Sequence, residues 1–217
     1  NHFHREPRIL KSFLAKHRDG LLIGSGCMNG EVFETAFEKS DDELREVMKF
    51  YDYIEIQPLS LYGVIVEKNQ DQNCWDYIKD TIKRIIKIGK ELGKIVVATG
   101  DVHNLTKDDA KLRKIYIDAP QIGGGMPPLA DIQNIPSFHF MTTKEMLEEF
   151  SFLDEDLAYE LVVTNSNKIA DLIERYELFP DKLYAPADDF LKSRGILSFR
   201  EGVISMTMEN AQALYGD

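Results

Sequence analysis

Asp101 and His103 stand two residues apart at the end of an apolar run, Ile95-Val96-Val97-Ala98-Thr99. In an extended chain such residues project to the same side, so a carboxylate and an imidazole would emerge together where a strand ends. That edge is where β/α folds build their sites, and Asp with His is a metal-binding pair. A lone Asp-x-His is common by chance, and a turn-capping Asp beside a locally satisfied His accounts for it at least as well. Cys27 follows a second apolar segment, Leu21–Gly26, and would reach the same rim. Cys, Asp and His are all ligands for zinc-like ions. A free cysteine is also, more often, simply a small buried hydrophobe. Glu55 and Gln57 share one strand face and would support such a site, or else mark a half-buried strand edge.

The other candidates carry less. His2 and His4 repeat the two-residue spacing, but no apolar strand holds them, so no native metal role is expected there. His17 and His139 are isolated and are expected at the surface or satisfied locally. Cys74-Trp75 reads as packing ahead of a helix. Gly123-Gly124-Gly125 followed by Pro127-Pro128 reads as a plain loop, because no Gly-Lys-Ser/Thr follows and no strand feeds into it. There is no nucleophile elbow, Walker loop or dinucleotide fingerprint, and no Cys/His pair has a nucleophile's setting.

The elements that must position these residues are legible from periodicity. Leu21–Gly26 and Tyr53–Gln57 read as strands, the second stopped by Pro58. A helical pattern runs from Glu31 to Glu38, and another starts at Asp41 with acids in its first turn. The clearest helix covers Asp76 to Leu92, with Ile78, Ile82, Ile85, Ile86 and Ile88 mostly on one face and Gly93 as its stop. The Ile95–Thr99 strand follows at once, which is the αβ half of a βαβ unit. Helices are further expected over Lys107–Ile117 and from the Thr142/Glu145 capping box to Phe150. Asp154 opens another, running to Arg175 and broken near Asn165 and Asn167. An irregular connection is expected over Leu178–Ile196, then a last helix over Glu201–Tyr215.

Composition sets bounds. With 43% hydrophobic and 29% charged residues, the chain is ordinary for a globular protein. No apolar run approaches the ~20 residues of a membrane span and no signal-peptide pattern opens it, so no membrane partner is expected. Two cysteines make no disulfide framework, and a cytoplasmic setting follows as the expectation. Thirty-seven acids against 26 bases give a net charge of −11. A surface built to grip phosphates carries the opposite excess, so this segment is not expected to be a main DNA-contacting face.

Three blocks together, Gly20-Leu21-Leu22-Ile23-Gly24-Ser25-Gly26-Cys27 with Gly30-Glu31-Val32-Phe33, Tyr51 through Pro58, and Val97 through His103, resemble the PHP (polymerase and histidinol phosphatase) domain of bacterial replicative polymerases. His139 through Leu153 and Asn165 through Ile173 narrow the resemblance to the PolC-type DNA polymerase III alpha subunits of low-GC Gram-positive bacteria. The resemblance runs nearly end to end.

It implies an α/β fold: part of a distorted (β/α)7 barrel of the PHP type, followed by a mostly helical extension. Residues 1–118 would be the C-terminal half of the barrel, 119–190 a loop and helical connection toward the palm, and 191–217 the start of the polymerase core. A full barrel needs roughly 250 residues, and only three strands are legible here, all before residue 101. By resemblance, Cys27, Asp101 and His103 match the last three metal-ligand positions of the family, holding zinc, manganese or iron. Its remaining ligands would come from the N-terminal half, and His2 and His4 do not replace them.

The implied partners are that N-terminal half, an inserted exonuclease and the polymerase core of one parent chain, with DNA reached through the parent. The parent would copy DNA with magnesium, two metals clamping the attacking and leaving oxygens. This segment lacks the catalytic carboxylates of both polymerase and exonuclease, and no catalytic residue is assigned within it. A scaffold role is expected for it, and a metal-dependent phosphoesterase or 3′–5′ exonuclease of the PHP type is the alternative.

Overall fold

The computed structural model describes residues 3–4, 6–69, 73–120, 124–127, 129–177, 188–193, 195–196 and 198–216. His2, Gly123, Pro128 and residues 178–187, on which several expectations fall, lie outside the described residues. The chain divides into two compact units, Asn1–Ile173 and Glu174–Asp217.

The first unit opens with a short antiparallel pair, β1 (Phe3–His4) and β2 (Glu6–Pro7), and a one-turn-and-a-half helix α1 (Lys11–Lys16). Helices α2 (Glu31–Glu38) and α3 (Asp41–Met48) follow. Ser40 caps α3 through a full capping box with Glu43, satisfying two N–H groups that a helix start leaves open. Strand β3 (Tyr53–Ile56) leads through a 3-10 turn (Leu59–Tyr62) and α4 (Gly63–Asn69) to α5 (Cys74–Glu91) and β4 (Ile95–Ala98). β3 and β4 pair in parallel, Tyr53 opposite Ile95 through Ile56 opposite Ala98, as the βαβ reading requires.

Packing follows the isoleucine pattern of α5. Ile78, Ile82, Ile85, Ile86 and Ile88 are all buried, each worth about 1.5–3 kcal/mol against exposure. A Cβ on Gly89 would lie 2.6 Å from Val96 Cγ2, so only glycine lets α5 sit this close to β4. Three consecutive residues of β4, Val96, Val97 and Ala98, are buried, so both faces of the strand are covered. The Arg84 guanidinium donates to the carbonyls of Ala36 and Lys39 at 2.7 Å and to Asp41 at 2.5 Å, joining the end of α2 to the start of α3.

After β4 come α6 (Ala110–Asp118), α7 (Thr143–Glu149), α8 (Glu155–Tyr159), a π-helical turn (Glu160–Thr164) and α9 (Asn165–Asp171). The helix expected from Asp154 to Arg175 is therefore interrupted by the π turn and stops at Asp171. Its break is anchored by Asn165, a buried side chain that donates to the Val96 carbonyl at 2.7 Å. The first expected strand departs from the reading too. Leu21–Gly26 forms no ladder, only a single parallel bridge between Gly24 and Tyr53. Beside one backbone bond from Asp52 N–H to the Ile23 carbonyl, side chains fasten it: Ile23 N–H donates to Asp52 Oδ2 and Glu55 N–H to Ser25 Oγ, each at 2.8 Å.

In the second unit, α10 (Asp188–Lys192) falls where an irregular connection was expected, and α11 (Phe199–Tyr215) starts two residues before the expected helix. Ser198 caps α11 and Gly216, at φ 72°, ends it. Among the described residues no helix is long and apolar enough to cross a membrane.

Candidate metal centre at the sheet edge

The C-terminal edge of the sheet is built from three neighbouring segments: the extended stretch through Gly24, then β3, then β4. Glu55, at half burial on β3, ties the outer two together. One carboxylate oxygen accepts from Gly26 N–H at 3.1 Å and the other from Thr99 Oγ1 at 3.0 Å. Gly24 must be glycine here, since a Cβ would fall 2.2 Å from Glu55 Oε1 and 2.5 Å from the Tyr53 ring. Gln57, one register step on, is buried and accepts from Met28 N–H at 2.9 Å. Both polar strand residues thus hold the loop that carries Cys27.

Asp101 and His103 do come together beyond β4, with Asp101 Oδ1 at 3.1 Å from His103 Nε2. The side chains are 36% and 47% exposed, so the pair contributes at most about 1 kcal/mol to stability. Cys27 is half-buried in the turn closed by Gly30 N–H on its carbonyl at 2.8 Å. β3 lies between its segment and β4, two strand spacings or about 10 Å of backbone. Among the described residues no three His, Cys, Asp or Glu side chains gather closely enough to hold a metal ion. The donor chemistry of Asp101 and His103 fits a zinc-like ion, and these two residues alone supply half of a tetrahedral set.

A second strand-like segment props this edge, and nothing in the sequence reading pointed to it. Residues Ser137–Phe140 run parallel to Asn104, with Asn104 bridged to His139. The Phe138 carbonyl accepts from His103 N–H at 2.8 Å and Asn104 N–H at 3.3 Å. Phe138 has φ 48° and is the one non-glycine residue with positive φ among those described. Its ring meets His103 edge-on at 5.6 Å between centroids, and the Arg113 guanidinium lies over it at 4.5 Å. Burial holds Arg113 below the usual guanidinium range, against the pull of the Asp101 charge. Neither Arg113 nor Phe138 advertises this in sequence: no motif marks a left-handed phenylalanine or a helix arginine turned inward.

The weaker candidates resolve locally. His17 Nδ1 lies 2.9 Å from the Phe13 carbonyl, and the two rings stack. His139 is nearly buried, with Nδ1 at 2.5 Å from Ser137 Oγ and Nε2 at 3.6 Å from Glu145. Cys74 is buried, as packing requires, but Trp75 is 36% exposed, and both belong to the first turn of α5 where they were expected ahead of it.

No protein-family model matches the chain. Among curated proteins it is similar to DNA polymerase III PolC-type sequences: 45% identical over 216 residues to that of Halalkalibacterium halodurans, and 42% over 219 residues to that of Bacillus subtilis. It is also 43% identical over 218 residues to that of Lacticaseibacillus paracasei. Each match covers 100% of this chain and 14% of the relative, so the chain spans about a seventh of the proteins it resembles.

Proposed function

We propose that this chain, similar from end to end to one segment of PolC-type DNA polymerase III, serves as a metal-braced scaffold within a replicative DNA polymerase. The whole-chain identity of 45% to a relative it covers by only 14% carries the reading. Residues 1–118 would form the C-terminal half of a PHP-type (β/α) barrel, 119–190 the connection toward the palm, and 191–217 the start of the polymerase core. The parallel β3–β4 pair with its crossover helix supports the barrel reading, because it is the repeating unit of such barrels.

In the metal reading, Asp101 and His103 supply one side of the ion's shell, Cys27 a more distant donor, and another segment of the parent chain the rest. Zinc, manganese or iron would act there as a structural clamp or a Lewis acid. Asp101 holds the His103 ring in place, and Glu55 fixes the Cys27 turn against the end of β4. Polymerisation would belong to the parent, with magnesium, and DNA would be met through the parent, since this chain's net charge of −11 opposes phosphate binding over most of its surface.

The test is elemental analysis of the chain mixed with the barrel segment that a PolC relative carries ahead of its exonuclease. Near-stoichiometric zinc, manganese or iron is expected, lost on Cys27→Ala/Asp101→Ala/His103→Ala. Metal retained by the triple variant, or no metal in any mixture, would overturn the reading. Phosphoesterase activity that appears with the metal and vanishes in Asp101→Ala would replace the scaffold role with a hydrolytic one.

A further inference from the structure

A cavity of about 780 Å³ in the first unit borders the segment that props the Asp101–His103 edge and lies between the 3-10 turn, the start of α5, α6 and the segment before α7. That volume is in the range of small-ligand pockets. Trp75, Lys107, Lys111, Ser137 and His139 line it. We propose that this cavity binds a nucleoside phosphate, its base against Trp75 and its phosphate toward Lys107 and Lys111.

Four observations converge on that chemistry. First, the indole is a flat apolar face left 36% exposed beside Gly63, where a Cβ would approach the ring to 3.8 Å. Stacking on such a face contributes about 1–3 kcal/mol per base in single-strand binding proteins. Second, Lys107, in the bend before α6, and Lys111, in the first turn of α6, both line the cavity. Neither ammonium group is engaged by an ion pair or side-chain hydrogen bond among the described residues.

Third, the two acids on the cavity wall are turned to backbone amides. Glu67 accepts from Gln133 N–H at 2.5 Å and Asn134 N–H at 2.9 Å, and Glu149 accepts from Ser60 N–H at 2.7 Å. Those bonds pull the Glu67 carboxyl below the usual range. Fourth, His139 Nε2 is buried on a side chain only 9% exposed and makes no hydrogen bond, the Glu145 carboxylate standing off at 3.6 Å. A buried polar atom without a partner is uncommon and calls for one. Ser137 and His139 are set side by side by the left-handed turn at Phe138, a conformation costing about 1–2 kcal/mol for an L residue. Strain of this kind concentrates where side chains are held for a ligand.

The same nucleoside phosphate chemistry is presented by a free mononucleotide and by the end of a single strand. Trp75 is the chain's one tryptophan, so its emission reads the cavity directly. The full chain is titrated with thymidine 5′-monophosphate, thymidine, inorganic phosphate and a thymidine tetranucleotide, all in EDTA so that no metal site contributes. Saturable quenching by the monophosphate is expected, with thymidine or phosphate alone at least tenfold weaker. Lys107→Gln/Lys111→Gln is expected to weaken the monophosphate tenfold or more without moving the unfolding temperature. Trp75→Phe, followed by calorimetry, is expected to lose a similar factor. Tighter binding of the tetranucleotide assigns the strand end, and equal or weaker binding assigns the free nucleotide. Unchanged emission and no heat with the monophosphate, or equal affinity for thymidine and its monophosphate, would overturn the proposal and leave the metal reading untouched.

Discussion

The packed body around α5 and the edge beyond β4 are built by opposite rules. In the body, Leu44, Met48, Ile54, Ile56, Ile78 and Ile82 are essentially sealed from water, and Arg84 satisfies carbonyls that helix ends leave open. Beyond β4, α6 exposes Leu112, Ile115 and Tyr116, and Leu105 and Phe140 stand out beside it. Among the described residues, the three buried side-chain atoms that make no hydrogen bond, on Asn104, Arg113 and His139, all belong to this edge, as does the strained Phe138. The contrast teaches that the body is optimised for folding, whereas the edge keeps apolar surface, unmet polar atoms and strain. Regions that break local rules in this concentrated way are where function is to be sought.

The comparison breaks if the two regions respond alike to truncation. Ile82→Ala deletes buried atoms where neither α5 nor the sheet can collapse, and is expected to cost about 2–5 kcal/mol. Leu112→Ala, on the exposed face of α6, is expected to stay within about 0.5 kcal/mol of the parent. Chemical denaturation of both variants measures the gap. A Leu112 cost near that of Ile82 would mean the edge is packed like the body.

Two further substitutions sharpen it. Phe138→Ala loses a buried ring, and Phe138→Gly loses the same ring while removing the left-handed strain. The glycine variant is therefore expected to be the more stable of the two by about 1 kcal/mol, the reverse of an ordinary Ala/Gly comparison. Arg113→Met keeps the long apolar stem over the ring and removes a guanidinium with a buried, unpartnered nitrogen. The outcome expected in thermal unfolding is neutral to stabilising, by up to about 1 kcal/mol. A loss of 2 kcal/mol or more on the ~1–3 kcal/mol scale of lost buried partners would show that Arg113 is paired in solution.

How much of this was legible in the sequence follows the same division. The α5 face, its stop at Gly93 with φ 67°, the Thr142/Glu145 capping box and the β3–α5–β4 order all rest on local periodicity and caps, and they stand as read. Asp101 and His103 share a side because alternation survives past the end of β4. What was not legible depends on partners distant in sequence. The Leu21–Gly26 stretch looks like a strand but is held by Asp52 and Ser25 side chains instead of a ladder. Cys27 ends the right segment, yet β3 intervenes, a fact of strand order that residue spacing does not carry. The α8–α9 break is placed by Asn165 reaching Val96, 69 positions back.

The smallest expected effect tests whether ion pairs at the start of the sheet belong with the body. Burial pushes the Asp52 carboxyl up, but the hydrogen bond from Arg18 and the Ile23 N–H outweigh it, with Lys94 adding to them, so its pKa sits below the ordinary value. A carboxyl depressed in the folded state binds its proton less readily there than in the unfolded chain. Its contribution is thus full above the unfolded value of about 3.9 and is lost as pH falls through the folded value. With about a third of the side chain exposed, that contribution is expected to stay under about 1 kcal/mol. Asp52→Asn should therefore lower stability slightly at pH 7 and converge with the parent in acid, below about pH 4. Glu43, Glu67, Asp109 and Glu145 are depressed as well and shape the same acid limb in both proteins, so the difference between the two curves isolates Asp52. A difference that persists unchanged into acid would mean that Asp52 acts by shape, through its bond to Ile23, and that its charge contributes nothing to fastening the first segment to β3.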